Sequence, residues 1–193
     1  ALKWLTYAAE LGNQFAQYRL GKLLLKGDDG IPKDVITAIR WLTAAAKQEN
    51  GYAEYALALV YLTGEDAPKD SVKALSLLKR SAGRGNQFAQ YRLGKLLLQG
   101  EDAPKDVKAA IRWLTAAAEQ GNQYAQYALG KLYLLGKEVP KDRSSAIKWF
   151  QLAADQGNEY AQYFLKHMDD RLGQPPVAAV ISLFHHLANI FQE

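Results

Sequence analysis

Between Phe15 and Lys26 the small and apolar residues Ala16, Leu20, Leu23 and Leu24 fall on one side of a wheel turned about 100° per residue. The spacing predicts an amphipathic helix with that side as its core face, flanked by Gly21. The opposite side carries Phe15, Tyr18, Lys22, Leu25 and Lys26, a mixture of rings and cations. A second helix-length block, IRWLTAAA at 39–46, follows Pro-Lys-Asp. Proline closes off the preceding loop, and Asp34 stands where a side chain can accept from the unpaired N–H groups of a first helical turn.

Both blocks recur. GNQFAQYRLGKLLL occupies 12–25 and again 85–98, with softer copies beginning at Glu49, Gly121 and Gly157. Asn13, Asn50, Asn86, Asn122 and Asn158 are spaced by 37, 36, 36 and 36 residues, and each is placed to cap a first helix. Pro32, Pro68, Pro104 and Pro140 are all 36 apart, so the one extra residue lies upstream of Pro32, in the loop 27–30. A fixed period of this length marks a stacked array, one extended core in place of separate domains. The expected organisation is a lone second helix at 1–11 and repeats 12–48, 49–84, 85–120 and 121–156. A final first helix at 157–168 and a capping segment at 169–193 complete it, giving about eleven helices.

Within each repeat, Gly12, Gly85, Gly121 and Gly157 stand just past helix ends, where a left-handed residue is needed. Gly21, Gly94 and Gly130 lie inside helices, at about 1 kcal/mol each relative to alanine, which requires close approach of a neighbour. The recurring Ala38, Ala74, Ala110 and Ala146 are the expected partners. Trp4, Trp41, Trp113 and Trp149 share one slot, filled by Leu77 in the second repeat, and are expected to pack in the core or between units.

The pattern A-x-x-x-L-G-x-x-[YL]-x-x-G, then P-x-D-x-x-x-A-x-x-W-x-x-x-A-A-x-x-G, resembles the Sel-one-like repeat, a relative of the tetratricopeptide repeat, over residues 1–168. The resemblance implies an all-α fold, a right-handed α/α superhelix (solenoid) of 36-residue helix-turn-helix repeats, used as an adaptor or assembly surface without catalytic residues. Ala58 and Lys166 depart from it by replacing the helix glycine. After His167 the pattern stops. Beyond Gly173-Gln-Pro-Pro176, VAAVISLFHHLANIF reads as one more helix, whose Val177, Val180, Ile181, Phe184 and Phe191 are expected to cap the array. That ending also resembles regions of relaxases from mobilisable genetic elements, a resemblance that implies, as the alternative function, an accessory region of a DNA-processing relaxase contacting nucleic acid or its protein machinery.

Composition narrows the classes. No run approaches the roughly 18 apolar residues of a membrane span. With no cysteine there is neither a disulfide framework nor a thiolate metal site, in keeping with a cytoplasmic location. Ala1 aligns with the interior of a second helix and no signal-peptide pattern precedes it, so the chain is expected to be a fragment. Two S-x-x-K matches, Ser76 to Lys79 and Ser145 to Lys148, lack the companion motifs of a penicillin-recognising enzyme, and Ser76 sits in the slot of Arg40 and Arg112. His167, His185 and His186 lack a ligand set, since adjacent helical histidines diverge. No catalytic residue, metal or cofactor is expected.

The face opposite the core is the candidate site. By the resemblance it lines the inside of the superhelix, with two aromatic slots filled in every unit: Phe15 and Tyr18, Tyr52 and Tyr55, Phe88 and Tyr91, Tyr124 and Tyr127, Tyr160 and Tyr163. Lysine recurs beside them as Lys22, Lys95 and Lys131, while acids crowd the loops at Asp28, Asp29, Glu65, Asp66, Glu101 and Asp102. Two readings of the rings stand side by side: some pack between adjacent first helices and meet no ligand, or the groove suits an extended protein or peptide whose acidic groups the lysines select. Single-stranded nucleic acid could use the same rings and cations, but 24 basic against 20 acidic residues is a small excess for it.

Overall fold

The computed structural model describes residues 2–27 and 30–168. Among them are ten helices and no strand: α1 (Leu2–Glu10), α2 (Gln14–Lys26), α3 (Val35–Lys47), α4 (Gly51–Thr63), α5 (Ser71–Gly83), α6 (Gln87–Gln99), α7 (Val107–Glu119), α8 (Gln123–Leu135), α9 (Arg143–Asp155) and α10 (Glu159–Met168). This is the all-α helix-turn-helix array that the period predicts. The expected cap, with its apolar residues and His185 and His186, lies outside the described residues.

Local chemistry sets the helix starts. Every first-helix asparagine accepts from backbone N–H of its first turn at 3.0 Å: Asn13 from Phe15 and Ala16, Asn50 from Ala53, Asn86 from Phe88 and Ala89, Asn122 from Ala125, Asn158 from Ala161. The second helices start in the same way, Asp34, Asp70, Asp106 and Asp142 accepting from the N–H groups of Thr37, Lys73, Ala109 and Ser145. Such caps contribute about 1 kcal/mol each. The N–H of the capping aspartate also ties the loop down, Asp70, Asp106 and Asp142 donating to the carbonyls of Tyr61, Leu97 and Tyr133. Asp34 donates to Leu24, one residue further back, so the first loop absorbs its extra residue and keeps the anchoring bond.

The expected left-handed residues are present at Gly12, Gly85, Gly121 and Gly157, with φ between 86° and 89°. In the second repeat the slot holds Glu49, at φ 66°. A side chain there costs about 1 kcal/mol that glycine avoids.

Packing falls into two compact units, Ala1–Ala125 and Gln126–Glu193. In the first, Leu42, Leu57, Leu78 and Leu93 build a core with alanines of α3, α4, α5, α6 and α7. Trp41 packs against a smaller cluster of Ala9, Ala16 and Leu20, joining its own repeat to the one before, as expected of its slot. Leu77 is buried in that slot, whereas Trp4 is 77% exposed. In the second unit Phe150 stacks on Phe164 with ring centroids 5.2 Å apart.

The helix glycines do permit close approach, but the group they receive differs from the expectation. A Cβ on Gly21 would lie 2.6 Å from Leu42 Cγ, on Gly94 2.7 Å from Leu114 Cγ, and on Gly130 2.7 Å from Phe150 Cδ1. The expected alanine contributes only its carbonyl, Ala38 O at 3.2 Å and Ala110 O at 3.1 Å. The reason is geometric: the residue one turn beyond the alanine is long enough to fill the notch.

Candidate interaction surface

The two ring slots of each first helix stand three positions apart, and their rings meet different neighbours. The second ring of one repeat meets the first ring of the next. In the first unit Tyr18 lies 5.8 Å from Tyr52, Tyr55 6.2 Å from Phe88, and Tyr91 6.0 Å from Tyr124, centroid to centroid. In the second unit Tyr127 lies 6.1 Å from Tyr160. These distances suit tilted and offset aromatic pairs.

The members of each pair in the first unit are not equivalent. Phe15, Tyr52, Phe88 and Tyr124 are exposed, from 43% to 63%, while Tyr18, Tyr55 and Tyr91 are half-buried. In the second unit Tyr127 is buried against Phe150 and Phe164, and Tyr160 and Tyr163 are half-buried. Burial pushes the Tyr91 hydroxyl up to about 12 and raises that of Tyr55. The second ring therefore serves as a support for the first.

The lysines also divide. Lys22 is exposed, its Nζ 5.8 Å from the Tyr18 ring centroid, within cation–π range. Lys95 and Lys131 are half-buried, and burial, with Lys137 nearby, holds the Lys131 ammonium below its usual range. The only acids on these helices are Glu54, which is fully buried, and Glu159 in the first turn of α10.

Two of the loop acids, Asp66 and Asp102, are paired. Lys33 of one Pro-Lys-Asp meets Asp66 of the next loop, and Lys69 meets Asp102 at 2.9 Å, where Ser71 also donates at 2.7 Å. The Lys69 ammonium and the Ser71 hydroxyl hold the Asp102 carboxyl below its usual range. The sequence carried a signal for this arrangement in the constant offset between that lysine and the following acid. Asp28 and Asp29 lie outside the described residues.

The enzyme-like serines have structural surroundings. Ser76 is exposed, and Ser145 donates its hydroxyl to the capping carboxylate of Asp142 at 2.6 Å. That bond, with the Ser145 N–H and the Ser144 hydroxyl, lowers the Asp142 pKa to about 2. His167 stacks on Tyr163 at 4.1 Å, with Nδ1 2.8 Å from the Tyr163 carbonyl. Among the described residues no three metal-ligating groups converge, and no helix is long and apolar enough to cross a membrane.

A model of the Sel1 repeat matches residues 1–13, 14–50, 51–86, 87–122 and 123–158. The chain belongs to the Sel1 repeat family. Solved Sel1 structures agree. A protective antigen of uropathogenic Escherichia coli with an SLR fold is 34% identical over 87% of this chain and 36% of its own, TM-score 0.82. A Sel1 repeat protein from Oxalobacter formigenes is 36% identical over 88% of this chain and 49% of its own, TM-score 0.79. One from Klebsiella pneumoniae is 26% identical over 86% and 80%, TM-score 0.62. The chain thus spans less than half the length of the first two. A search of curated proteins gave no match. Sel1 repeat proteins generally mediate protein–protein interactions and are non-enzymatic scaffolds.

Proposed function

We propose that this Sel1 array holds an extended protein segment along its first-helix face, with Phe15, Tyr52, Phe88 and Tyr124 as the contact rings and Lys22 and Lys95 favouring acidic groups. The observation that carries this reading is the exposed half of each ring pair. An aromatic residue that the core required for volume alone would be covered, yet four successive repeats leave one ring 43% to 63% open. Tyr52, Phe88 and Tyr124 are each backed by a half-buried tyrosine of the preceding repeat that fixes their position, so little side-chain entropy remains to be lost there on binding.

The experiment is a selection of random twelve-residue peptides on the immobilised chain, compared with F88A/Y124A. The native chain should enrich a peptide class, and the double variant should lose that enrichment while keeping its helical circular dichroism. No enrichment by the native chain, or enrichment that survives loss of both rings, overturns the reading. If a labelled single-stranded oligonucleotide binds with a steep salt slope while peptides do not, the surface serves nucleic acid instead.

A further inference from the structure

Repeats with nearly the same wording carry a pairing hazard. Residues 12–25 and 85–98 are identical, and so are 39–46 and 111–118. A first helix that skips its own second helix and docks on the next one along still finds its leucines matched, because apolar contact is non-directional. Such a slip loops out one repeat and exposes its core to other chains.

Three of the four complete repeats are tied by the same neutral rung. Gln48 donates to Gln17 at 2.8 Å, Gln120 to Gln90 at 2.7 Å, and Gln156 to Gln126 at 2.7 Å. The first-helix glutamine also donates backward, Gln17 to the carbonyl of Ala9 and Gln90 to that of Ala82. In the repeat 49–84 the whole rung changes together. Glu54, fully buried, replaces the first-helix glutamine, and Arg84 replaces its partner, with Nε 3.2 Å from Glu54 Oε2. Arg80 stands where other repeats have Ala44, Ala116 and Leu152, and its Nη2 lies 2.6 Å from Glu54 Oε1. A carboxylate cannot make the backward donation, and Arg80 makes it instead, to the Ala46 carbonyl at 3.3 Å.

We infer that Glu54, Arg80 and Arg84 are a pairing key that keeps α4 on α5 and keeps its neighbours in register. The two nearest slips are α2 onto α5 and α4 onto α7. The first faces Gln17 with two guanidinium groups and no carboxylate. The second buries Glu54 against Gln120 and Ala116, with no guanidinium in the rung. A buried ion pair gains little over neutral packing, whereas one member buried alone is strongly unfavourable. Arg80 and Arg84 keep 50% and 32% of their side chains exposed, so the charged rung changes the correct array little and its heavy penalty falls on the slip that buries Glu54 without a guanidinium.

Two variants test this by refolding from urea at micromolar concentration. E54Q/R80A/R84Q restores the neutral rung, and Q90E/A116R/Q120R copies the key into the third repeat, so that α7 can accept α4. Each natively purified variant should match the parent in helicity and unfolding midpoint. The fraction refolding to the native elution volume should fall by about twofold or more in both, with the loss appearing as larger species. Recovery equal to the parent in either variant overturns the inference. So does loss of native helicity in E54Q/R80A/R84Q, which would make the rung a plain stability element.

Discussion

At the scale of single residues, the helix glycines show how a local cost is offset by a distant group. Alanine at position 94 would gain about 1 kcal/mol of helix propensity, yet its Cβ would lie 2.7 Å from Leu114 Cγ and 3.1 Å from the Ala110 carbonyl. Overpacking of this kind costs about 1–3 kcal/mol, so G94A should lower stability in urea titrations by the difference, up to about 2 kcal/mol. Adding L114A should give a double variant less destabilised than the two single effects combined, because the second change removes the clash. Simple additivity would mean that the glycine and the leucine do not share a notch. The Asp142 cap makes a pH prediction. Its carboxyl is held at about 2 against an ordinary 3.8, so its contribution is fully present above pH 3.8 and fades as pH falls toward 2. D142N should therefore be less stable than the parent at neutral pH, and the gap should close across that window; a gap independent of pH would remove the charge from the explanation.

At the scale of elements, the ring pairs predict opposite phenotypes for neighbours on one helix. Tyr91 is half-buried and supports Tyr124, so Y91A should cost about 2–3 kcal/mol, whereas F88A, at an exposed ring, should cost about 1 kcal/mol or less. Equal melting temperatures for the two would show that the slots are not differentiated. This difference was not legible in the sequence, because both slots are always aromatic and lie on the same side of one wheel; what separates them is the neighbouring repeat. The asparagine and aspartate caps were legible because a cap is decided within four residues. The glycine partner was misassigned for the same reason that the rings were undivided, since Leu42 and Leu114 meet Gly21 and Gly94 only once two helices have packed. The acid-to-lysine pairing of the loops and the glutamine rung were visible as constant offsets, but nothing in one repeat says that such positions touch.

At the scale of the molecule, an array in which repeats contact their sequence neighbours should not be equally stable along its length. The first unit shows the gradient. Leu2, Trp4, Tyr7 and Leu11 are 40% to 77% exposed at its start, whereas Ala53, Ala58, Leu78 and Leu93 are fully buried in α4, α5 and α6. Backbone hydrogen bonds of α1 should then open locally, with amide exchange far faster than in α4 to α6, whose protection should approach that set by unfolding of the whole unit. L78A separates this from a uniformly cooperative unit. It removes a fully buried side chain at a cost of about 2–5 kcal/mol, which should appear as faster exchange throughout α4 to α6. The exchange of α1 should hardly change, because its local opening does not pass through that core. If α1 and α6 begin with equal protection, or lose it in parallel in L78A, the unit opens as one body and the gradient of burial does not translate into a gradient of stability.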